Sequence, residues 1–306
     1  MVDIILFIVG IILVLKGADW LTDGSVAVAS RLGVSQLVIG LTIVAMGTSM
    51  PEFCVSLFSA LKGTPDLAVG NVVGSNIFNA LLIVGVAALV APMTIRRSTV
   101  KRDIPFAVLA SVALMLMCLD NHIGRLDAFI LIILFAIFMT MTLRGARKDA
   151  EEPQGETKTL PTGKAVVFIL LGLAGLIIGS NLFVDSASSI ARSLGVSDAV
   201  IGLTIVAGGT SLPELATSVV SARKGNSGIA IGNVLGSNVF NILFILGITG
   251  LIQPMAITGI TMVDLSVMVL SMCLLWLFSF TRYRIQRWEG AVLTAAFIGY
   301  MAWLLA

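Results

Sequence analysis

The chain has 306 residues, of which 58% are hydrophobic and only 12% are charged, and its mean hydropathy is +1.05. These values exclude a water-soluble globular protein and predict a polytopic membrane protein. The formal net charge of +2 is small, and we expect the lipid bilayer, not nucleic acid, as the partner. Spans in lipid are expected to be helical, because an open sheet would leave backbone polar groups unpaired.

Ten hydrophobic segments follow one another, each able to cross about 30 Å of hydrocarbon as a helix. We predict spans at residues 2–28, 36–61, 65–91, 104–120, 126–144, 165–191, 198–222, 227–252, 260–281 and 288–305. The predicted fold class is therefore an all-α polytopic membrane protein. No basic residue precedes Lys16, so the first segment is predicted to be a retained helix and not a signal peptide. The three cysteines, Cys54, Cys118 and Cys273, have no disulfide or metal-site spacing and are predicted to pack.

Basic residues concentrate on one face if the ten spans alternate in direction. Of the 19 Lys and Arg residues, three (Lys62, Arg125 and Arg192) fall on the opposite face and Lys16 lies within the first span. The other fifteen are Arg31, Arg96, Arg97, Lys101, Arg102, Arg144, Arg147, Lys148, Lys158, Lys164, Arg223, Lys224, Arg282, Arg284 and Arg287. Cytoplasmic loops carry the Lys and Arg excess. The expected location is the plasma (inner) membrane, with both termini outside and the polar segment 145–164 as a cytoplasmic linker.

An internal repeat relates the two halves at a fixed offset of 162 residues. GTSMPE at residues 47–52 recurs as GTSLPE at residues 209–214, and GNVVGSNIFN from Gly70 recurs as GNVLGSNVFN from Gly232. Each half contains five predicted spans, an odd number, so the second half must enter the membrane from the opposite side. We predict a first five-helix repeat at 1–144, a linker at 145–164 and an inverted second repeat at 165–306. Inverted repeats with broken helices are typical of secondary transporters.

Two glutamates, Glu52 and Glu214, lie inside predicted spans. An ionisable group there costs at least ~2.5 to 3.5 kcal/mol, so each needs a reason to be present. A protonated glutamate, or one paired with another helix, would not account for two copies with the same polar neighbours. The duplication therefore favours a functional role.

Polar side chains share one face of each helix that carries a glutamate, and the following helix repeats the pattern at every fourth residue. These side chains are Thr48, Ser49, Glu52, Ser56 and Ser59 with Asn71, Ser75 and Asn79 in the first half, and Thr210, Ser211, Glu214, Ser218 and Ser221 with Asn233, Ser237 and Asn241 in the second. We expect these four faces to converge.

Pro51 and Pro213 should free backbone carbonyls near Gly47 and Gly209, because proline has no N–H and clashes with the preceding turn. Together, the carboxylate, amide, hydroxyl and carbonyl oxygens form a set of hard ligands, which suits Ca2+ or Na+ better than Zn2+ or Cu+. Two ionised glutamates carry a charge of −2, which one Ca2+ or several Na+ ions could cancel. Competition for the same oxygens is what antiport requires.

Other polar and small residues have simpler interpretations. Gly70 and Gly74, with Gly232 and Gly236, form GxxxG pairs that are predicted to let helices pack closely. Four aspartates near span ends, Asp23, Asp103, Asp185 and Asp264, are predicted to be hydrated.

The paired GTSMPE and GTSLPE, each followed by GNV-x-GSN-x-FN, resemble the two alpha repeats of the cation/Ca2+ exchanger superfamily, in its Na+/Ca2+ exchanger branch. The resemblance covers both halves and is to the prokaryotic type, which has no regulatory domain. It implies a Na+/Ca2+ antiporter, commonly with three Na+ exchanged per Ca2+, and sliding of the first and sixth helices. The ion ligands implied by the resemblance are Glu52, Thr48, Ser49, Ser75 and Asn79, their counterparts Glu214, Thr210, Ser211, Ser237 and Asn241, and the carbonyls of Ala45 and Ala207.

Asn79 and Asn241 stand where some relatives in the superfamily have Asp in one repeat. The resemblance therefore weakens the case for K+ cotransport and leaves the Na+ stoichiometry open. Thr48 and Thr210 favour Na+, since H+/Ca2+ exchangers of the superfamily usually have Asn near this position.

Three alternatives differ in what they require. An H+/Ca2+ exchanger or an exchanger of another divalent cation would share this fold, and a cation channel could also use inverted repeats. An intramembrane enzyme is disfavoured because the only histidine, His122, is predicted to lie in a loop. We expect no catalytic residue, no cofactor beyond the transported ions and no obligate protein partner.

Overall fold

The computed structural model describes residues 2–146, 160–195 and 207–305. Its helices are α1 Val2–Leu32, α2 Gln36–Thr48, α3 Met50–Leu61, α4 Pro65–Val90, α5 Thr99–Asp120, α6 Arg125–Gly145, α7 Thr162–Ser193, α8 Leu212–Arg223, α9 Ser227–Ile252, α10 Met262–Ser279 and α11 Arg287–Leu305. Seven of these are individually long and apolar enough to cross a membrane, and α2 with α3 forms an eighth such span. Most of the predicted linker and the first part of the seventh predicted span lie outside the described residues. Elsewhere the all-α architecture of transmembrane helices is confirmed.

The second span is bent where the sequence predicts a break. α2 and α3 meet at an angle of 47°, and Pro51 lies in the first turn of α3. Pro213 occupies the same position in α8, which follows a short helical turn at Ala207–Gly209. A proline is tolerated there because the first N–H groups of a helix have no partner within it. Each glutamate therefore lies in the first turn of a helix.

The third span of each half carries a wider helical turn at the same place. A π-helical segment runs over Phe78–Ile83 in α4 and over Phe240–Ile245 in α9. Such single turns change the direction in which the following side chains point and occur often at functional sites. Asn79 and Asn241 both lie in these segments.

Short strands connect the two repeats. They are β1 Met93–Thr94, β2 His122–Ile123, β3 Met255–Ala256 and β4 Arg284–Ile285. β1 pairs antiparallel with β4, and β2 pairs antiparallel with β3. Since β1 is equivalent to β3 and β2 to β4 at the offset of 162 residues, each ribbon joins one strand of each repeat. Each repeat therefore contributes equivalent loops to opposite faces, as inverted repeats require.

The two faces of the molecule can be named from its contacts. The end of α1 and the start of α7 lie together, because Arg31 donates from Nε to the carbonyl of Leu160 at 3.0 Å and from a terminal nitrogen to Thr162 Oγ1 at 2.8 Å. We call this side the linker face. The opposite side, where α1 begins at Val2 and α11 ends at Leu305, is the terminal face.

α4 and α9 lie at the centre, and α1 and α7 lie at the periphery. In the most apolar stretch of each helix, 72% of residues in α4 and 78% in α9 are buried, compared with 28% in α1 and 33% in α7. Buried polar residues on the central helices are therefore shielded on all sides by protein.

Two aspartates predicted to be hydrated have structural roles instead. Asp103 is 2% exposed and pairs with Arg102 Nε at 2.8 Å. Asp264 completes a capping box with Thr261 at the start of α10 and accepts a hydrogen bond from Tyr300 at 2.8 Å. The prediction of hydration is wrong for these two, because the sequence does not show which helix packs beside each span end.

Candidate cation-binding site

The two glutamates meet at the centre of the molecule. Glu52 and Glu214 lie in the first turns of α3 and α8, and both are 0% exposed. Ser49 Oγ donates to Glu214 Oε1 at 2.8 Å, and Ser211 Oγ donates to Glu52 Oε1 at 3.0 Å. Each carboxylate is thus held by a serine of the opposite repeat, and neither faces lipid.

α4 and α9 bring the next polar layer to the same place. Ser211 Oγ lies 3.2 Å from Ser75 Oγ, and Ser237 Oγ lies 3.5 Å from Glu214 Oε1. Asn79 is 1% exposed and Asn241 is 0% exposed, one helical turn further along these helices. The convergence of four polar faces predicted from the repeat is what the structure contains.

Several oxygens at this place have no hydrogen-bond partner. They are Glu52 Oε2, Glu214 Oε2, Asn79 Oδ1, Asn241 Oδ1 and Thr210 Oγ1. Buried polar atoms in folded proteins are nearly always paired, so unpartnered oxygens of this number need an explanation. All five belong to residues predicted as ion ligands, and a bound cation would satisfy them.

The charges at this place also favour a bound cation. Among the described residues, the ion pairs of Lys and Arg involve other carboxylates, and none engages Glu52 or Glu214. Two buried ionised carboxylates without a positive partner would cost several kcal/mol each. In the described ranges, no third His, Cys, Asp or Glu side chain joins the two glutamates, so any further ligands at this site are hydroxyl, amide or carbonyl oxygens. The site is therefore one of hard oxygens, with a charge of −2 when both carboxylates are ionised.

Two further predicted ligands are already hydrogen-bonded. The carbonyl of Ala45 accepts from the backbone N–H of Ser49 at 3.0 Å, so this carbonyl already has a partner. Thr48 Oγ1 lies 3.1 Å from Asn233 Oδ1 and donates within the protein, so only its lone pairs could face an ion. For Ala207, the structure describes the backbone of the short turn before α8.

Three asparagines that were not predicted as ligands form hydrogen bonds with residues that were. Asn71 Nδ2 donates to the carbonyl of Glu52 at 3.1 Å, and Asn233 Nδ2 donates to the carbonyl of Glu214 at 3.3 Å. Asn238 Oδ1 accepts from Asn79 Nδ2 at 3.0 Å, which leaves Asn79 Oδ1 unpaired. The exact recurrence of these asparagines in the two repeats was the available sequence indication.

The fold and the site together define a class of protein. Two inverted repeats of transmembrane helices meet at a buried pair of carboxylates, each in the first turn of a helix, which is the architecture of a secondary transporter of cations. The family model described as sodium/calcium exchanger protein matches residues 2–144 and 164–306. The chain belongs to this family of multi-pass membrane transporters.

Individual relatives are similar over nearly the whole length. The putative antiporter CaxA of Alkalimonas amylolytica is 40% identical, over 98% of each chain. The sodium/calcium exchanger MaX1 of Methanosarcina acetivorans is 33% identical, over 98% of this chain and 97% of the relative. A solved structure of the sodium-calcium exchanger NCX_Mj superposes with a TM-score of 0.87 at 33% identity, and the match covers 99% of this chain and 98% of that one.

Proposed function

We propose that the protein is a secondary antiporter that exchanges Na+ for Ca2+ across the membrane by alternating access. The observation that carries this proposal is the crossed pair of hydrogen bonds, Ser49 to Glu214 and Ser211 to Glu52, which holds two buried carboxylates together between the repeats. Relatives named as sodium/calcium exchangers support Na+ as the counter-ion and do not favour H+.

The proposed ion ligands are side-chain and backbone oxygens from both repeats. They are Glu52, Thr48, Ser49, Ser75, Asn79 and the Ala45 carbonyl in the first, and Glu214, Thr210, Ser211, Ser237, Asn241 and the Ala207 carbonyl in the second. The unpartnered oxygens of Glu52, Glu214 and Asn79 support this assignment most directly. The Ala45 carbonyl has the weakest support, because it already accepts a backbone hydrogen bond.

Charge explains why the two cations would exclude each other. One Ca2+ cancels the charge of two ionised glutamates, and a second divalent ion would leave the buried site strongly positive. Na+ ions need the same carboxylate oxygens, so their binding displaces Ca2+. Transport then follows if the site opens to one face at a time.

Ca2+ uptake into Na+-loaded proteoliposomes tests the proposal. We expect uptake of radiolabelled Ca2+ to require an outward Na+ gradient and to stop when the internal Na+ is replaced by choline. Liposomes containing the double variant Glu52→Gln/Glu214→Gln are the control for leak. Uptake that follows a pH gradient and ignores Na+ would assign H+ as the counter-ion, and flux without any counter-ion would identify a channel.

The arrangement in the cell is also a proposal. We infer that the chain comprises repeats at 1–144 and 165–306 joined by a cytoplasmic linker at 145–164, with both termini outside the plasma membrane. The uneven distribution of Lys and Arg supports this orientation. In this proposal the transported ions occupy the site, and neither a resident cofactor nor an enzymatic role is needed to explain it. The lipid bilayer is the partner of the exposed apolar helices.

A further inference from the structure

Equivalent helix contacts differ between the two repeats. α1 packs directly against α8: the hydroxyls of Thr22 and Ser221 are 2.9 Å apart, and both residues are 0% exposed. The equivalent contact would join α7 to α3. There, a cavity of about 410 Å³ lies between the two helices. Its lining includes Pro51 and Cys54 of α3, Asn181 and Asp185 of α7, and the proposed ligand Thr210. The site is therefore covered on the linker face and approached by a cavity from the terminal face.

An ion pair holds α1 against α8 on the linker face. Lys224, at the C-terminal end of α8, places Nζ 3.0 Å from Asp19 Oδ1 and 2.9 Å from Asp23 Oδ1, and both aspartates belong to α1. Lys224 Nζ also donates to the carbonyl of Asp19 at 3.3 Å. One lysine thus joins α1, the peripheral helix of the first repeat, to α8 on the linker face.

On the terminal face, the residues equivalent to Lys224 and its partners do not form an ion pair. At the offset of 162 residues, Lys62 is equivalent to Lys224, Asp185 to Asp23, and Asn181 to Asp19. Lys62 and Asp185 are both exposed, and within the described part of the chain neither takes part in an ion pair. Asp185 lines the cavity that separates α7 from α3.

We propose that Lys224 with Asp19 and Asp23 is a latch that holds the protein open to the terminal face, and that Lys62 with Asp185 replaces it when the protein opens to the linker face. Inverted repeats can exchange their conformations, and the exchanged state is open to the opposite side. In that state α7 packs on α3, α1 leaves α8, and Lys62 reaches Asp185. The inference rests on the alternating access proposed above but not on the identity of the ions.

The two latches are unequal in this chain. Lys224 has two carboxylates, whereas Lys62 would have one carboxylate and the amide of Asn181. The unequal pairs favour the state open to the terminal face when no ion is bound. The side chains of Lys224, Asp19 and Asp23 are 30%, 43% and 38% exposed, so water screens the pairs and each changes the equilibrium by at most about fivefold.

Cys54 provides a direct measurement, because it is exposed and lines the cavity. The other cysteines are replaced, as Cys118→Ala and Cys273→Ala, and the full chain is placed in nanodiscs, where both faces are accessible. The rate at which a polar methanethiosulfonate reagent modifies Cys54 in ion-free buffer then measures the fraction of molecules open to the terminal face.

We expect Lys224→Gln to slow the modification of Cys54 several-fold and its matched control, Lys62→Gln, not to slow it. Two further variants shift the equilibrium between the two open states in the same direction without removing a lysine. Asp19→Asn makes the linker-face latch equal to its counterpart, and Asn181→Asp adds a second carboxylate to the terminal-face latch; both should also slow the reaction.

Restored labelling in the charge-exchanged variant Lys224→Asp/Asp23→Lys would support the latch over a general loss of packing. Unchanged labelling in Lys224→Gln with an unchanged thermal midpoint would overturn the proposal, as would equal slowing by Lys62→Gln. Because the assay measures no transport, its outcome is independent of whether Na+ or H+ drives Ca2+.

Discussion

At the scale of single residues, the site is built so that neither repeat can complete it alone. Glu214 depends on Ser49 and Glu52 depends on Ser211, so each carboxylate is oriented by the other half of the chain. The sequence predicted both glutamates and both serines, because their spacing repeats exactly. It did not predict that Asn238 would orient Asn79, since this bond depends on how the two halves are placed against each other.

The carboxylate pair leads to a first prediction. Glu52→Gln or Glu214→Gln removes one of the two negative charges and leaves Ca2+ incompletely neutralised in a buried place. We expect Ca2+ transport to fall by at least about 100-fold, as for the loss of one partner of a buried ion pair. Radiolabelled Ca2+ uptake measures it, with the elution volume as a check of folding. Ser56→Ala is the control and should do much less, because it removes only neutral hydrogen bonds. Near-normal transport by either glutamine variant would rule out a shared carboxylate site.

A second prediction concerns the supporting asparagines, which differ in one contact. Asn233 donates a hydrogen bond to the Glu214 carbonyl and also accepts one from Thr48 of the other repeat. The equivalent residue Asn71 accepts no hydrogen bond from Thr210, whose Oγ1 has no partner. We expect Asn233→Ala to raise the half-saturating Ca2+ concentration about 5-fold more than Asn71→Ala does, because it loses one further hydrogen bond, worth about 1 kcal/mol. Asn71→Ala is the matched control and should have a smaller effect. Equal effects would mean that the contact with Thr48 contributes nothing to binding.

At the scale of whole elements, glycines join the two peripheral helices. Gly10, Gly17 and Gly24 of α1 are seven residues apart, so they share one face of the helix. On α7, Gly179 lies against Gly10 and Gly172 lies against Gly17. A Cβ atom at Gly17 would be 2.8 Å from the carbonyl oxygen of Gly172. The backbones therefore touch, and α1 and α7 form one unit that presents few projecting side chains to its own interface.

The glycine interface predicts a steric effect. A Cβ atom at Gly172 would lie 2.6 Å from the backbone nitrogen of Leu21, which cannot move without shifting α1. We expect Gly172→Ala to destabilise the protein by about 1–3 kcal/mol, as overpacking does, although alanine favours helix more than glycine. Thermal unfolding in detergent measures the change. Gly299→Ala is the control, because a Cβ there would have no neighbour within 4 Å. Similar midpoints for both variants would show that the helices can separate at no cost.

Sequence patterns predicted some elements and missed others for a physical reason. The prolines predicted the 47° bend before α3, and the GxxxG pattern predicted the close packing of Gly232 and Gly236, where a Cβ would lie 2.6 Å from α2. The same pattern was wrong for Gly74, where a Cβ would have no neighbour within 4 Å. The π-helical turns at Phe78–Ile83 and Phe240–Ile245 were not predicted, because no proline or glycine lies within them. Strands of two residues are likewise too short to produce an alternating pattern.

At the scale of the whole molecule, the ribbons and the latch divide the helices into two bodies. β1 with β4 and β2 with β3 tie the loops of one repeat to those of the other, one ribbon on each face. No strand pairing of this kind connects α1 or α7 to the central helices in the described ranges, and the contacts of α1 with α8 include the exposed ion pair of Lys224. The peripheral unit can therefore move against a central body that the ribbons hold together.

The inverted arrangement predicts that equivalent residues lie on opposite sides of the membrane. His122 in β2 and Arg284 in β4 are separated by 162 residues, are both exposed, and precede buried isoleucines in strands of the same pattern. In a background with Cys54, Cys118 and Cys273 replaced by alanine, we expect an impermeant maleimide to label His122→Cys in intact cells. Arg284→Cys should react only after the membrane is permeabilised, because the Lys and Arg excess assigns its loop to the cytoplasm. Reaction of both cysteines in intact cells would contradict the inversion, and the reverse pattern would keep the inversion but turn the whole protein over in the membrane.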